Sequence, residues 1–166
     1  AVKALSRDYG AYQLSDTNKP ITWWAYANAD QAGNWLVGQA EEISKLGDNV
    51  GISSACIWAQ ENITIGNNVN IGADCVILDT DCHNLDYKVR VSKERMPNGM
   101  SVDCYTANCM PIVIEDNVLI GTRCIILKGV TIGERSIIAA GSVVTKSIPC
   151  DCIAGGNPCR IIRKTN

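Results

Sequence analysis

The chain has 166 residues, a formal charge of −2 and 46% hydrophobic residues, with Phe absent and aromatics at 5%. That composition suits one domain with a thin core of Ile, Val and Cys; no apolar stretch approaches the roughly 20 residues needed to cross a bilayer, and the polar opening stretch does not resemble a signal peptide. Residues 1–110 carry 8 Lys/Arg against 13 Asp/Glu and residues 111–166 carry 7 against 4, a modest basic end that suits a small anionic ligand better than a nucleic acid, which calls for a broad basic surface.

Residues 1–46 read as an N-terminal segment distinct from the rest of the chain. Trp23, Trp24, Trp35, Leu36, Val37, Ile43 and Leu46 predict a helix around residues 30–45. Gly47 would end it as a C-cap. Regular coils are expected to begin between Val50 and Trp58.

From Ile112 to Val144 the chain repeats every six residues. Ile114, Ile120, Ile126, Ile132, Ile138 and Val144 share one phase, and Gly121 and Gly133 follow two of them. Two residues before each member stands Ile112, Val118, Cys124, Val130, Ser136 or Ser142. Helices repeat near 3.6 residues and strands near 2, so neither produces a period of six. A hexapeptide repeat is the signature of a parallel β-helix, each hexapeptide being one short strand and a corner. The glycine serves a corner where a side chain would clash or where φ must be positive.

An earlier run, Ile65-Gly66, Ile71-Gly72 and Ile77, has the same period in another phase. The segment between the runs, 79–111, therefore reads as a loop inserted into the solenoid, with Pro97-Asn98-Gly99 and little periodicity. Such insertions lie on one face, often the binding face. After Pro149 the pattern stops, and the tail is expected to pack against one end as a cap. Residues 47–166 thus form one β-helical domain carrying the 79–111 insertion. The nine cysteines include no CxxC pair, and His83 is the single His. Buried, reduced thiols in a cytoplasmic protein are expected, with no metal site.

At these residues the chain resembles a known family. Ile65-Gly66-Asn67-Asn68-Val69-Asn70-Ile71-Gly72, Asp81-Cys82-His83-Asn84, the stretch Pro111 to Gly121, Ala140-Gly141-Ser142-Val143-Val144-Thr145-Lys146 and the tail Ala154 to Arg163 are similar to the hexapeptide-repeat O-acetyltransferases. These include the maltose and galactoside acetyltransferases and enzymes that acetylate capsular and lipopolysaccharide sugars. The resemblance covers about 47–166. It implies an all-β fold, a left-handed parallel β-helix, in a homotrimer with active sites between subunits. It also implies acetyl-CoA as co-substrate and a sugar-like acceptor. Where many relatives carry Trp, this chain has Leu119.

Acetyl transfer from a thioester to a hydroxyl needs a base, donors for the tetrahedral oxyanion, and both substrates held together. His83 matches the family's catalytic base. Its other nitrogen needs an acceptor, for which Asp79 and Asp81 are the nearby candidates. Asn84 and Asp86 are candidate acceptor-binding residues. By resemblance, the Thr122 backbone N–H faces the oxyanion. Thr122, Ala140, Thr145, Lys146, Arg160 and Arg163 would lie along coenzyme A, the cations meeting phosphates by charge-assisted hydrogen bonds. An N-acetyltransferase acting on a xenobiotic or amino sugar is the alternative enzyme, and a non-catalytic scaffold the alternative outside catalysis. A γ-type carbonic anhydrase shares the solenoid but needs three His ligands on zinc gathered from two neighbouring subunits, which one His per chain does not supply.

Overall fold

The computed structural model describes residues 11–14, 24–25, 36–37, 45–97 and 99–165. Before the coils, β1 (Ala11–Leu14), β2 (Trp24–Ala25) and β3 (Leu36–Val37) are strands, β2 and β3 pairing antiparallel. The helix expected over 30–45 is therefore corrected at Leu36–Val37, and the remainder of that stretch lies mostly outside the described residues. Its apolar run is short and closed by Gly33 and Gly38, and a run of that length with aromatic and β-branched residues favours a strand.

The coils come in chain order. The first is β4 (Lys45–Leu46), β5 (Val50–Ser53) and β6 (Cys56–Trp58); the second is β7 (Ile63–Ile65), β8 (Asn70–Ile71) and β9 (Val76–Leu78). The insertion carries two single-turn helices, α1 (Tyr87–Arg90) and α2 (Val102–Tyr105). The third coil is β10 (Ile112–Ile114), β11 (Leu119–Ile120) and β12 (Ile125–Leu127); the fourth is β13 (Thr131–Ile132), β14 (Ile137–Ile138) and β15 (Val143–Val144). The tail closes with β16 (Cys152–Gly155) and β17 (Arg160–Lys164).

Equivalent strands stack in parallel into three sheets: β4-β7-β10-β13, β5-β8-β11-β14-β16 and β6-β9-β12-β15. The second sheet is extended by β1 and β17, each antiparallel to its neighbour. Coils three and four are 18 residues apart, as in Ile114 to Ile132. Ile65 pairs with Ile114 across 49 residues, the excess being the insertion.

Inside, the repeat resolves into columns of aliphatic side chains. Ile65, Ile114 and Ile132 stack in one, Ile71, Ile120 and Ile138 in a second, and Ile77, Ile126 and Val144 in a third, all at 2% exposure or less. Removing each such side chain from water stabilises by about 1.5–3 kcal/mol. Cys75 and Cys124 sit in the same core, their thiols donating to the Gly121 and Ala139 carbonyls.

The corners show which of glycine's two properties the repeat uses. A Cβ on Gly66 would lie 2.8 Å from the Asp116 nitrogen, and one on Gly121 would lie 2.6 Å from that of Ala140. The constraint is close backbone approach between coils. The left-handed backbone falls two residues after Gly66, on Asn68, and on its counterparts Asn49 and Asn117, a residue type that tolerates it. Their amides stack, Asn49 donating to Asn68 and Asn68 to Asn117, each at 3.2 Å. Gly47 belongs to this set and is not a helix cap: a Cβ there would lie 2.4 Å from Gly66. The coils thus begin at β4, slightly before the expected Val50.

Ile126→Ala should lower stability by about 2–5 kcal/mol, because a closed column cannot collapse into the cavity. Gly121→Ala should cost about 1–3 kcal/mol through overpacking against Ala140. Urea denaturation of both variants checks this, and wild-type midpoints would contradict the packing described.

Candidate active site

The insertion leaves the coils through a pinned stem. Thr80 bridges antiparallel to Cys109, Asp81 N donates to the Asn108 carbonyl at 2.9 Å, and Met110 N donates to the Asp79 carbonyl at 2.8 Å. Cys82 adopts φ 60°, turning the chain just before His83. His83 thus stands where the solenoid gives way to the loop.

Neither carboxylate proposed to orient His83 does so. Asp79 is fully buried, and its oxygens accept the backbone N–H groups of Gln60, Glu61 and Asn62 at 2.7–2.8 Å. It holds a corner together. Asp81 is ion-paired with Lys128, and its second oxygen is buried without a hydrogen bond among the described residues. The carboxylate on His83 is Asp103, with Nδ1 to Oδ2 at 2.6 Å. Asp103 lies in the first turn of α2, and its other oxygen accepts Asn84 N–H at 2.8 Å. The side chain of Asp103 is 9% exposed and that of His83 is 62% exposed. A buried acceptor therefore grips an imidazole that faces solvent. The hydrogen bond from His83, opposed by burial and aided by the Asn84 N–H, holds the Asp103 carboxyl below the usual carboxylate range. An ionised Asp103 can only accept, so Nδ1 is the donor of this contact, and in the neutral imidazole the lone pair is on Nε2.

Asn84 and Asp86, expected to bind an acceptor, are engaged within the loop. The Asn84 amide donates to Thr106 Oγ1 at 2.9 Å and to its carbonyl at 3.1 Å, while Oδ1 accepts Asp86 N–H at 2.8 Å. Asp86 caps α1 through Lys88 N–H at 2.9 Å. Both fasten the insertion that delivers Asp103.

His83 borders a cleft of about 740 Å³. Its walls include Trp58, Met100 and Tyr105, and three thiols, Cys82, Cys104 and Cys109, which the repeat pattern does not single out. None of the six cofactor candidates lines this cleft. Thr122 and Ala140 stack at the corner preceding β12 and β15. Thr145 and Lys146 follow β15, while Arg160 and Arg163 lie on β17. Lys146, Arg160 and Arg163 are exposed and make no ion pair among the described residues. The Thr122 N–H has no hydrogen-bond acceptor among the described residues, whereas Asn67, its counterpart at another corner, donates to Asp116 at 2.8 Å.

Comparison with known proteins agrees with this architecture. The family model described as the hexapeptide repeat of succinyl-transferase matches residues 62–77 and 111–146. Galactoside O-acetyltransferase of Escherichia coli is 42% identical over 104 residues, covering 63% of this chain and 45% of that protein. A hexapeptide-repeat acetyltransferase of Vibrio cholerae, complexed with acetyl coenzyme A, superposes with a TM-score of 0.65 at 36% identity, over 78% of this chain and 64% of that one. A galactoside acetyltransferase in complex with coenzyme A gives 0.56 at 38% identity, over 68% and 50%. The matched region spans about half the length of the curated relatives, 43–56% for the first three. Among the described residues no helix is long and apolar enough to cross a membrane.

Linkage gives a test of the Asp103 contact. Its carboxyl is depressed in the folded state, so the stability it contributes is present above the unfolded value of about 3.9 and is lost as pH falls through the lower folded value. Stability measured by urea denaturation between neutral and acid pH should fall more steeply for wild type than for Asp103→Asn. Parallel curves would show that the pair is not formed in solution. In fold, register and sequence, this chain, a left-handed parallel β-helix built of hexapeptide repeats, is similar to the hexapeptide-repeat acetyltransferases.

Proposed function

We propose that the chain is an acetyl-CoA-dependent O-acetyltransferase acting on a hydroxyl of a sugar or polysaccharide unit, with His83 as general base. The observation that carries this reading is the 2.6 Å contact of a buried Asp103 with an exposed His83 beside a cleft. Nε2 takes the proton of the acceptor hydroxyl as its oxygen attacks the thioester carbonyl. The new C–O bond places negative charge on the carbonyl oxygen, for which the Thr122 N–H is the proposed donor. When the C–S bond breaks, the imidazolium returns its proton to the leaving thiolate. Asp103 fixes the tautomer and stabilises the imidazolium without itself becoming protonated. Lys146, Arg160 and Arg163 are the proposed partners of coenzyme A phosphates, with Thr145 beside them and Ala140 leaving room for the thin pantetheine arm.

The site needs a second subunit. Within one chain, Thr122 and Ala140 precede strands of the β6-β9-β12-β15 sheet, whereas His83 follows β9. A three-residue strand sets these corners about 10 Å apart, too far to serve one carbonyl. Apposing the His83 corner of one subunit with the Thr122 corner of the next brings base and oxyanion donor to one point. Repeating that heterologous contact three times closes a ring, so a homotrimer is the proposed assembly.

Light scattering at micromolar protein should give three chain masses, and a monomer would leave the site incomplete. His83→Ala should lower kcat by about 10²–10⁴-fold while acetyl-CoA binding and the trimer persist. A thiol-release assay with acetyl-CoA against sugars and free amines measures this and identifies the acceptor. Full activity of the alanine variant on a verified acceptor would exclude His83 as base, and turnover confined to amines would replace the O-acetyl reading.

A further inference from the structure

Acetyl transfer as proposed above uses His83 and Asp103 and has no need of a thiol, yet Cys104 follows Asp103 directly and lines the same cleft. Donor atoms of His83, Asp103 and Cys104 lie within 4.8 Å of one another. The three are chemically mixed, an imidazole nitrogen, a carboxylate oxygen and a thiol sulfur, the set that suits zinc among common divalent ions. Both ends of the set are fixed: His83 by the pinned stem and Asp103 with Cys104 by α2. We infer that His83, Asp103 and Cys104 form an inhibitory binding site for Zn²⁺, in which the ion and the acceptor hydroxyl compete for the same imidazole.

The geometry asks for little movement. Tetrahedral zinc with bonds of about 2.0–2.3 Å separates its donors by roughly 3.3–3.8 Å. The Nδ1–Oδ2 pair at 2.6 Å therefore opens by about 1 Å as the ion replaces the shared proton. The imidazole is mostly exposed, so the ion reaches it from solvent. Binding moves the imidazole proton from Nδ1 to Nε2, which removes the lone pair the acceptor hydroxyl needs, and releases the proton of the Cys104 thiol; a carboxylate and a thiolate then neutralise the ion. Because the thiol proton is released, binding tightens as pH rises. A fourth position stays open to water, as in sites with three protein ligands.

The test uses the full chain, freed of metal and titrated with Co²⁺ alone as the spectroscopic probe. Wild type should develop near-ultraviolet sulfur-to-cobalt charge-transfer absorption that saturates at one ion per chain and disappears when Zn²⁺ is added. Cys104→Ser should lose that absorption, while Cys82→Ser, altered at another thiol of the cleft wall, should keep it. Zn²⁺ should inhibit thiol release by wild type, reversibly on chelation. Cys104→Ser should keep the metal-free rate and need at least about tenfold more Zn²⁺ for the same inhibition. Cys104→Ala serves if serine disturbs α2. Absence of the absorption in wild type, its survival in both Cys104 variants, or equal zinc sensitivity of wild type and variants overturns the site. The inhibition arm rests on the acetyl-transfer reading and the absorption arm does not, so a chain inactive on every acceptor is still decided by the cobalt titration.

Discussion

Everything in this molecule hangs on the distance between successive coils. Backbone strands stacked in parallel stand about 4.8 Å apart, and the corners must keep the same spacing. At Gly66 and Gly121 the neighbouring coil comes so near that no Cβ fits. The same closeness sets inward residues directly above one another, so an aliphatic side chain in one coil must meet a similar one in the next. The isoleucine columns and the small corner residues are two faces of a single requirement. They give a rigid prism whose outer surface is free for chemistry.

The insertion uses that rigidity. A loop of this length would ordinarily sample many shapes, and a base mounted on it would be poorly aimed. Here its two ends are tied together by the Thr80–Cys109 bridge and anchored beneath by Asp79, which holds three consecutive N–H groups of the preceding coil. Inside the loop, Asn84 links the His83 end to Thr106, just beyond α2. The buried carboxylate of Asp103 is thereby delivered to an imidazole twenty positions earlier in the chain. A buried polar group with both oxygens satisfied fixes geometry more firmly than a surface ion pair does.

The same division separates the residues whose roles can be read directly from those whose roles cannot. The columns from Ile112 to Val144 are legible because period and phase are uniform there. The first coil is obscured because Leu46 and Ile65 are 19 residues apart and Ile57 and Ile77 are 20, so Leu46-Gly47 resembles a helix end although it is a rung of the ladder. His83 is legible as the single imidazole at the edge of the repeat. Asp103 is not, since contact between two points of an aperiodic loop depends on how it closes, and no spacing encodes that. Proximity in sequence favours Asp79 and Asp81, but each has a stronger claimant: backbone donors for the first, Lys128 for the second. Asn84 and Asp86 stand in the expected place, with their polar atoms turned to the service of the loop.

The two antiparallel strands at the ends of the β5-β8-β11-β14-β16 sheet have a consequence for assembly. A solenoid of parallel coils ends in unpaired edges that could template another copy, and repetition of such contacts yields a filament. On this sheet β1 closes one edge and β17 closes the other, both in a direction that no further parallel coil can continue. On this sheet the reversal of chain direction acts as a terminator of growth by further parallel coils.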